Sequence, residues 1–275
     1  MSIRYQCPVC QQPLQIEGRS MKCPKGHHFD FAKEGYINLL LQGHSTKYDK
    51  SLFHARRELN DRTKLYQPVI DCITHILTAN GSPALKLLDA GTGEGYILNQ
   101  VDQQLKEQGI HSDAVGIDIA KDGIRQAAKT YRAIDWVVGD LANVPLTGQQ
   151  FDGILNVLSP SNYQEFNRLL RPGGQVIKVI PSTHYLKELR ERIYNTSDRS
   201  QYDNTKVKTL FYQHYPAVQS QILEYIVGLT PTDLALLIDM TPLTWGLNSE
   251  ERQQLLNHSI DQVTMHFEVL VGQTN

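Results

Sequence analysis

The segment Leu87-Leu88-Asp89-Ala90-Gly91-Thr92-Gly93-Glu94-Gly95-Tyr96 constrains the fold more than any other part of the chain. The largely apolar run Ala84 to Leu88 reads as a buried parallel strand that ends on an acidic residue, Asp89. A glycine-rich turn follows and leads into an apolar-periodic helix. Glycine lets backbone N–H groups come close to a ligand, and the helix N-terminus adds a field that favours a negative group. A dinucleotide fingerprint G-x-G-x-x-G would need glycine at position 96, which is Tyr96. A plain glycine turn in an α/β protein is the alternative reading.

The next segments repeat the pattern. Ala114 to Ile117 is a second apolar run, and it ends in Asp118, the place where doubly wound folds hold a ribose hydroxyl pair. Trp136-Val137-Val138 ends at Gly139-Asp140, where an acid can accept a hydrogen bond from an exocyclic amine. Asp140 is therefore assigned to the adenine end. Phe151 to Val157 forms a fourth run, and Arg171-Pro172-Gly173-Gly174 precedes a fifth. The Asp-x-Gly-x-Gly loop and these strand-end features, in this order, resemble the class I methyltransferases that use S-adenosylmethionine (SAM). The resemblance implies an α/β, Rossmann-like, seven-stranded sheet.

The elements are expected as strand 84–89, helix 95–108, strand 113–118, helix 120–131, strands 134–139 and 151–157, helix 162–170, strand 174–180 and helix 183–193. Such alternation requires a parallel sheet with right-handed crossovers. Gln221 to Val227 and Val263 to Val271 alternate and read as a terminal antiparallel pair, with helices at 231–239 and 249–257 between them. Residues 194–215 are too long and polar for a simple connector and read as a mobile lid or an RNA-facing insertion.

Upstream of the glycine loop, Cys7-Pro8-Val9-Cys10 and Cys23-Pro24-Lys25-Gly26-His27 give C-x2-C, twelve residues, then C-x3-H. Zinc favours tetrahedral thiolate and imidazole ligands, and a structural site needs all four from the protein. His27 or His28 could supply the nitrogen, and the spacing favours His27. A redox role for the C-x-x-C fits less well, because no thioredoxin-like βαβ pattern surrounds it. The remaining cysteine, Cys72, lies on the apolar face of Pro68 to Leu77 and reads as core. A zinc ribbon is expected to about Asn38, a polar connector to about Lys50, and helices at 51–63 and 66–79.

Charge divides along the same line. Residues 1–66 hold 11 Lys and Arg against 6 Asp and Glu, a net of +5, which leaves −7 for the rest. Lys22, Lys25, Lys33, Lys47, Lys50, Arg56, Arg57, Arg62 and Lys64 could meet phosphates, with Tyr36, Tyr48 and Phe53 interleaved for stacking. A solvated basic surface is the competing explanation. No run reaches the eighteen or so apolar residues of a membrane span, and Met1 to Gln6 lacks a signal-peptide h-region. A cytoplasmic protein without a membrane partner is expected.

The resemblance then becomes specific. Phe29-Asp30-Phe31-Ala32-Lys33-Glu34-Gly35-Tyr36-Ile37-Asn38-Leu39-Leu40, Ala55-Arg56-Arg57-Glu58-Leu59 with Tyr66-Gln67-Pro68, Thr183-His184-Tyr185-Leu186-Lys187-Glu188-Leu189 and Met240-Thr241-Pro242-Leu243-Thr244-Trp245 follow in order. Together with the cysteine module they resemble the RlmA family of 23S ribosomal RNA (guanine-N1)-methyltransferases over nearly the whole chain. That resemblance implies one structural zinc on Cys7, Cys10, Cys23 and His27. It puts Tyr66, the Gly95-Tyr96 pair and His184 at SAM-contact positions, beside Asp89, Gly91, Gly93, Glu94, Asp118 and Asp140. Residues 1–45 would recognise 23S rRNA and residues 46–275 would carry methyl transfer.

Thr92 stands where relatives often have cysteine, and Asn156-Val157-Leu158-Ser159-Pro160 departs from members with an aromatic before an Ala-Pro end. Asn156 is the expected reader of the Watson–Crick edge of guanine. Guanine N1 is an indifferent nucleophile, so alignment, worth roughly 7–11 kcal/mol, should outweigh the roughly 10²–10⁴-fold from a general base. No carboxylate stands out as that base. A small-molecule methyltransferase with a purely structural zinc ribbon is the alternative, and nothing in the sequence decides whether the chain forms a homodimer.

Overall fold

The computed structural model describes residues 3–43, 47–194, 203–215, 218–257 and 260–273. The N-terminal ribbon is a four-stranded antiparallel sheet of β1 (Tyr5–Gln6), β2 (Pro13–Glu17), β3 (Ser20–Lys22) and β4 (His28–Asp30). The chain then supplies β5 (Ile37–Asn38), α1 (Lys50–Thr63) and α2 (Gln67–Thr78). Asp49 caps α1 by accepting from Leu52 N at 2.9 Å, and Lys64, left-handed at φ 56°, ends it. The alternating part runs β6 (Ala84–Ala90), α3 (Tyr96–Glu107), β7 (His111–Asp118), α4 (Lys121–Thr130), β8 (Asp135–Val138), β9 (Phe151–Val157), α5 (Tyr163–Leu169), β10 (Leu170–Pro181) and α6 (Lys187–Tyr194). It closes with α7 (Thr205–His214), β11 (Val218–Gly228), α8 (Pro231–Met240), a 3-10 turn (Pro242–Thr244), α9 (Ser249–Asn257) and β12 (Gln262–Gln273).

Among the described residues the large sheet has eight strands in the order β11-β12-β10-β9-β6-β7-β8-β5. The strand pairs from β5 to β10 are parallel, and β12 is antiparallel to both β10 and β11. Seven of these strands are the expected ones. The eighth, β5, comes from the N-terminal module and pairs Ile37 with Val137. Two residues carry no periodicity, so the sequence could not announce it.

Side chains alternate between the two faces of the sheet. Leu87 joins Ile73, Leu98 and Ile124 in the layer of α2, α3 and α4. Leu88 and Ala90 join Tyr5 and Phe166 on the opposite face. Leu98 and Phe166 are fully buried, each burial favouring the fold by roughly 1.5–3 kcal/mol. The ribbon is bound into this second layer. Tyr5 Oη donates to Asp135 at 2.7 Å, Gln6 N to Pro145 O at 3.0 Å, and Gln150 bonds both the N–H and the carbonyl of Arg4 at 2.9 Å.

The segment expected as a mobile lid or an RNA-facing insertion holds regular structure in its described part. Thr205–His214 is a helix whose Phe211 is fully buried, with Tyr215 just beyond it packed in the same cluster. Aromatic spacing outweighed the polar composition of that stretch. Residues 195–202 of the segment, and 44–46 of the connector, lie outside the described residues. No helix among the described residues is long and apolar enough to cross a membrane.

Candidate active site and metal centre

The C-terminal ends of the parallel strands converge on the glycine loop. Gly91, Gly93 and Gly95 all take positive φ (84°, 59° and 77°). A side chain at Gly91 would collide with Ser159, whose Oγ would lie 1.8 Å from the added Cβ, so the loop after β9 lies directly on the turn. The turn is pinned from β7: Gly91 N and Thr92 N both donate to Ile117 O, at 2.9 and 3.1 Å. Asp118 accepts from Gly93 N at 2.8 Å and from Ala120 N at 2.7 Å. One carboxylate thus joins the glycine loop to the start of α4.

Three acids share this region. Asp89 is buried and accepts from Thr92 Oγ1 at 2.6 Å. Burial pushes its carboxyl up to about 7, with the charges of Asp118 and Glu94 adding to the rise. Burial also raises Asp118 and Glu94. The opposing charge is Arg56 from α1, whose Nη1 lies 3.5 Å from Glu94 Oε2. Arg56 Nε and Glu94 Oε2 are buried without a hydrogen-bond partner. A cluster of three acids and one arginine suits a ligand of net positive charge that also brings a carboxylate. This is the charge pattern of SAM, whose sulfonium and ammonium outweigh its one carboxylate.

Tyr66, at the N-terminus of α2, is buried and hydrogen-bonded to Tyr185, with Phe267 of β12 at 6.1 Å between ring centroids. Tyr96 opens α3 with its ring in the core, so its backbone is the part turned to the loop. Asp140 follows β8 and accepts from Ala142 N at 2.8 Å. His184 is exposed, 2.7 Å from Glu224 of β11, with its ring tilted at 40° to that of His266 of β12 and 4.9 Å away.

Asn156 differs most from its expected role. Its side chain is 0% exposed. Nδ2 donates to Ala90 O (2.9 Å) and Pro160 O (3.0 Å), while Oδ1 accepts from Ser161 Oγ and Lys178 Nζ, both at 2.7 Å. An amide has two donor hydrogens and two acceptor lone pairs, and all four are used. Asn156 therefore braces the loop and presents no edge to a base. Lys178 was missed by sequence reasoning. It is 3% exposed and donates also to Ser161 Oγ (2.7 Å) and Ser159 O (3.2 Å). Burial lowers its pKa to about 8. The available signal was a lone charge inside the apolar run Val176-Ile177-Lys178-Val179-Ile180.

The basic residues also sort differently from the sequence expectation. Arg56 turns inward to Glu94, Arg57 bonds Thr130 and Arg62 pairs with Asp233. Lys25, Lys33, Lys47 and Lys50 remain exposed. Of the interleaved aromatics, Tyr36 and Phe53 are buried and Tyr48 is exposed.

In the ribbon, Cys7, Cys10, Cys23 and His27 form a cluster with all ligand atoms within 4.8 Å of one another. Cys10 and Cys23 sulfurs are 3.6 Å apart, and His27 Nδ1 lies 3.6 Å from Cys7 and 3.4 Å from Cys23. Tetrahedral zinc with Zn–S of about 2.3 Å and Zn–N of about 2.0 Å places such ligand pairs roughly 3.5–3.8 Å apart. The donor set fits. Burial would raise the Cys23 thiol, yet hydrogen bonds from Cys10, Lys25 and His27 bring it down to about 6, towards the thiolate that a metal needs.

Comparison with known proteins agrees with this geometry. Residues 5–44 match the zinc-ribbon family model described as RlmA, N-terminal, and residues 87–174 match one described as a methyltransferase domain. The chain is 34% identical to the protein named "Putative 23S rRNA (guanine-N(1)-)-methyltransferase YxjB" of Bacillus subtilis, over 98% of this chain and 96% of that one. It is 28% identical to the 23S rRNA (guanine(748)-N(1))-methyltransferase of Streptomyces fradiae, over 90% of this chain and 89% of the relative. A phosphoethanolamine N-methyltransferase of Haemonchus contortus, solved with S-adenosylhomocysteine, superposes with a TM-score of 0.52 at 12% identity, over 95% of this chain and 70% of that one. That likeness speaks for the fold alone.

Proposed function

The chain belongs to the 23S rRNA (guanine-N1)-methyltransferases of the RlmA type, and on that footing we propose that it methylates N1 of a guanine in a hairpin loop of 23S rRNA. The observation that carries the reading is the join between its two parts. Strand β5 of the zinc-ribbon module is hydrogen-bonded to β8, and Leu39 N donates to Val138 O at 2.9 Å, two residues before Asp140. An RNA-reading module and a methyl-transfer site then share one sheet, the module at its edge and the glycine loop on its central strands. Residues 1–45 act as the reader and 46–275 as the catalytic part. The small-molecule alternative has no comparable support, since the relatives that match over most of their length are named for rRNA.

SAM, when bound, would supply an electrophilic methyl group. Asp118 would hold the ribose hydroxyls and Asp140 the adenine amine. Arg56 would take the methionine carboxylate, and Asp89 with Glu94 the ammonium, which would satisfy the two orphaned buried atoms. The Asn156–Lys178 brace fixes Ser159 to Ser161, the part of the chain that would position the target base for transfer. A paired guanine hides N1, so the base is presented from a loop or flipped out. The exposed lysines of the ribbon side meet RNA phosphates. Methyl transfer from labelled SAM to unmodified rRNA should therefore fall steeply with salt, and Lys25→Glu with Lys33→Glu should weaken RNA binding while SAM affinity stays unchanged.

A further inference from the structure

Two large aromatic rings are partly exposed at the N-terminal end of α1. Tyr48 is 37% exposed and Trp245 40% exposed, and they meet edge to face with centroids 5.1 Å apart and an interplanar angle of 72°. They come from places almost two hundred residues apart in sequence. Lys47 Nζ lies 5.7 Å from the Trp245 ring centre, within cation–π range. Behind Tyr48 lies Phe53, stacked at 6.2 Å, and the Phe53 ring packs on Gly93 of the glycine loop, 3.3 Å from where a Cβ would stand. The exposed pair is thus one ring removed from the SAM turn.

The support under Trp245 is rigid. It caps the 3-10 turn, in which Thr244 Oγ1 donates to Ile238 O at 2.7 Å and Leu247 N to Thr244 O at 3.0 Å. Helix α8, which carries that turn, is tied to α1 by the Arg62–Asp233 ion pair. The indole is therefore pre-positioned, and little entropy remains to be lost when a flat ligand covers it. Flat apolar faces beside an ammonium match a nucleobase and its phosphate: unpaired bases stack on aromatic side chains while cations meet the backbone.

We propose that Tyr48 and Trp245 form a stacking platform for an unpaired base of the RNA loop beside the target guanine, with Lys47 meeting the adjoining phosphate. This rests on the rRNA reading above.

The chain has two tryptophans, and Trp136 is only 3% exposed, so Trp245 is the indole that a bound base can reach. The experiment titrates the full-length protein with an unmodified 23S rRNA hairpin fragment and follows tryptophan emission. In parallel, the KM for that RNA and the Kd for SAM are measured. Wild-type protein and Trp136→Phe should be quenched on binding, and Trp245→Phe should not. Trp245→Ala should raise the RNA KM by about 5- to 100-fold, the range for loss of one stacked base, with SAM Kd unchanged. Tyr48→Ala should act in the same direction, and Trp245→Phe should recover part of the loss. If wild-type protein methylates the hairpin but both alanine variants keep its KM within about twofold, the platform is refuted while the rRNA reading stands. Emission that follows protein concentration without RNA would assign the rings to a second copy of the chain and refute the proposal. Wild-type protein that neither binds nor methylates the hairpin overturns both.

Discussion

Lys178 Nζ lies 2.7 Å from Oδ1 of Asn156, and the two side chains together hold three atoms of the loop that covers the glycine turn, Ser159 O, Pro160 O and Ser161 Oγ, and tie it to Ala90 O at the end of β6. The cation is buried without a carboxylate among its hydrogen-bond partners, so its charge is offset by dipoles alone. A buried charge costs free energy unless it is well solvated by such groups. Holding Ser159 over Gly91 is the use the fold makes of it.

Lys178→Met removes the three hydrogen bonds and frees the loop. SAM affinity should stay near that of the wild type, while kcat falls about 10- to 100-fold, the scale for a small misplacement of reacting groups. The stability consequence has a definite sign. The amine titrates near 8 in the folded protein against about 10.4 when unfolded. Between those values the unfolded chain holds more protons, so stability rises with pH across the window. Denaturant unfolding at pH 7.5, 9 and 10 should show that rise in the wild type and lose its Lys178 share in Lys178→Met.

Asp118→Ala takes away the carboxylate assigned to the ribose. Loss of a hydrogen bond to a charged group predicts weaker SAM binding by about 1.5–3 kcal/mol, read by titration calorimetry. Because Asp118 also bonds Gly93 N and Ala120 N, the variant should melt at a lower temperature as well. Unchanged affinity would count against the assignment.

Asp89 makes SAM binding pH-dependent. Its carboxyl is raised by burial to about 7, and a cationic ligand stabilises the ionised form, so binding should expel a proton and weaken below pH 7. Calorimetry in buffers of different ionisation enthalpy detects that proton. The ligand-free protein should show the opposite trend in stability. Its folded state retains a proton on Asp89 between about pH 4 and 7 that the unfolded chain has released, so this residue's share of stability declines as pH rises through the window. Asp89→Asn should remove this residue's share of both effects and leave the smaller contributions of Asp118 and Glu94, which burial also raises.

Zinc analysis should return one metal per chain, and Cys23→Ser should lose it. Ligands held at tetrahedral spacing couple metal to folding, and the ribbon is bonded to the large sheet through Tyr5, Gln6 and β5. The melting temperature of the whole protein should therefore fall on metal loss, beyond any effect on the ribbon itself. A fully loaded Cys23→Ser protein would contradict the ligand assignment.

Much of this architecture was legible in the chain, for a physical reason. A strand buried on both faces must be an apolar run, and the run ends where ligands or solvent begin, as at Asp89, Asp118 and Asp140. Phe151–Val157 appears in the structure with the limits the sequence suggests. The Arg171-Pro172-Gly173-Gly174 stretch is instead absorbed into β10, with the register shifting between Leu170 and Gln175. Other features depend on partners far along the chain. Nothing local marks Ile37–Asn38 as a sheet edge or turns Arg56 inward to Glu94. The same holds for Asn156, whose role is decided by Lys178, twenty-two residues away.

Methyl transfer to guanine N1 of 23S rRNA is read by incubating the zinc-loaded, full-length protein with labelled SAM and unmodified 23S rRNA, digesting the RNA to nucleosides and identifying the labelled product. Label should appear in 1-methylguanosine, at one site that blocks primer extension, and at limiting SAM it should fall about 10- to 150-fold with Asp118→Ala, the fold-change of the lost hydrogen bond. Label in a different nucleoside, or an RNA that stays unlabelled while SAM binds normally, would contradict guanine-N1 methylation.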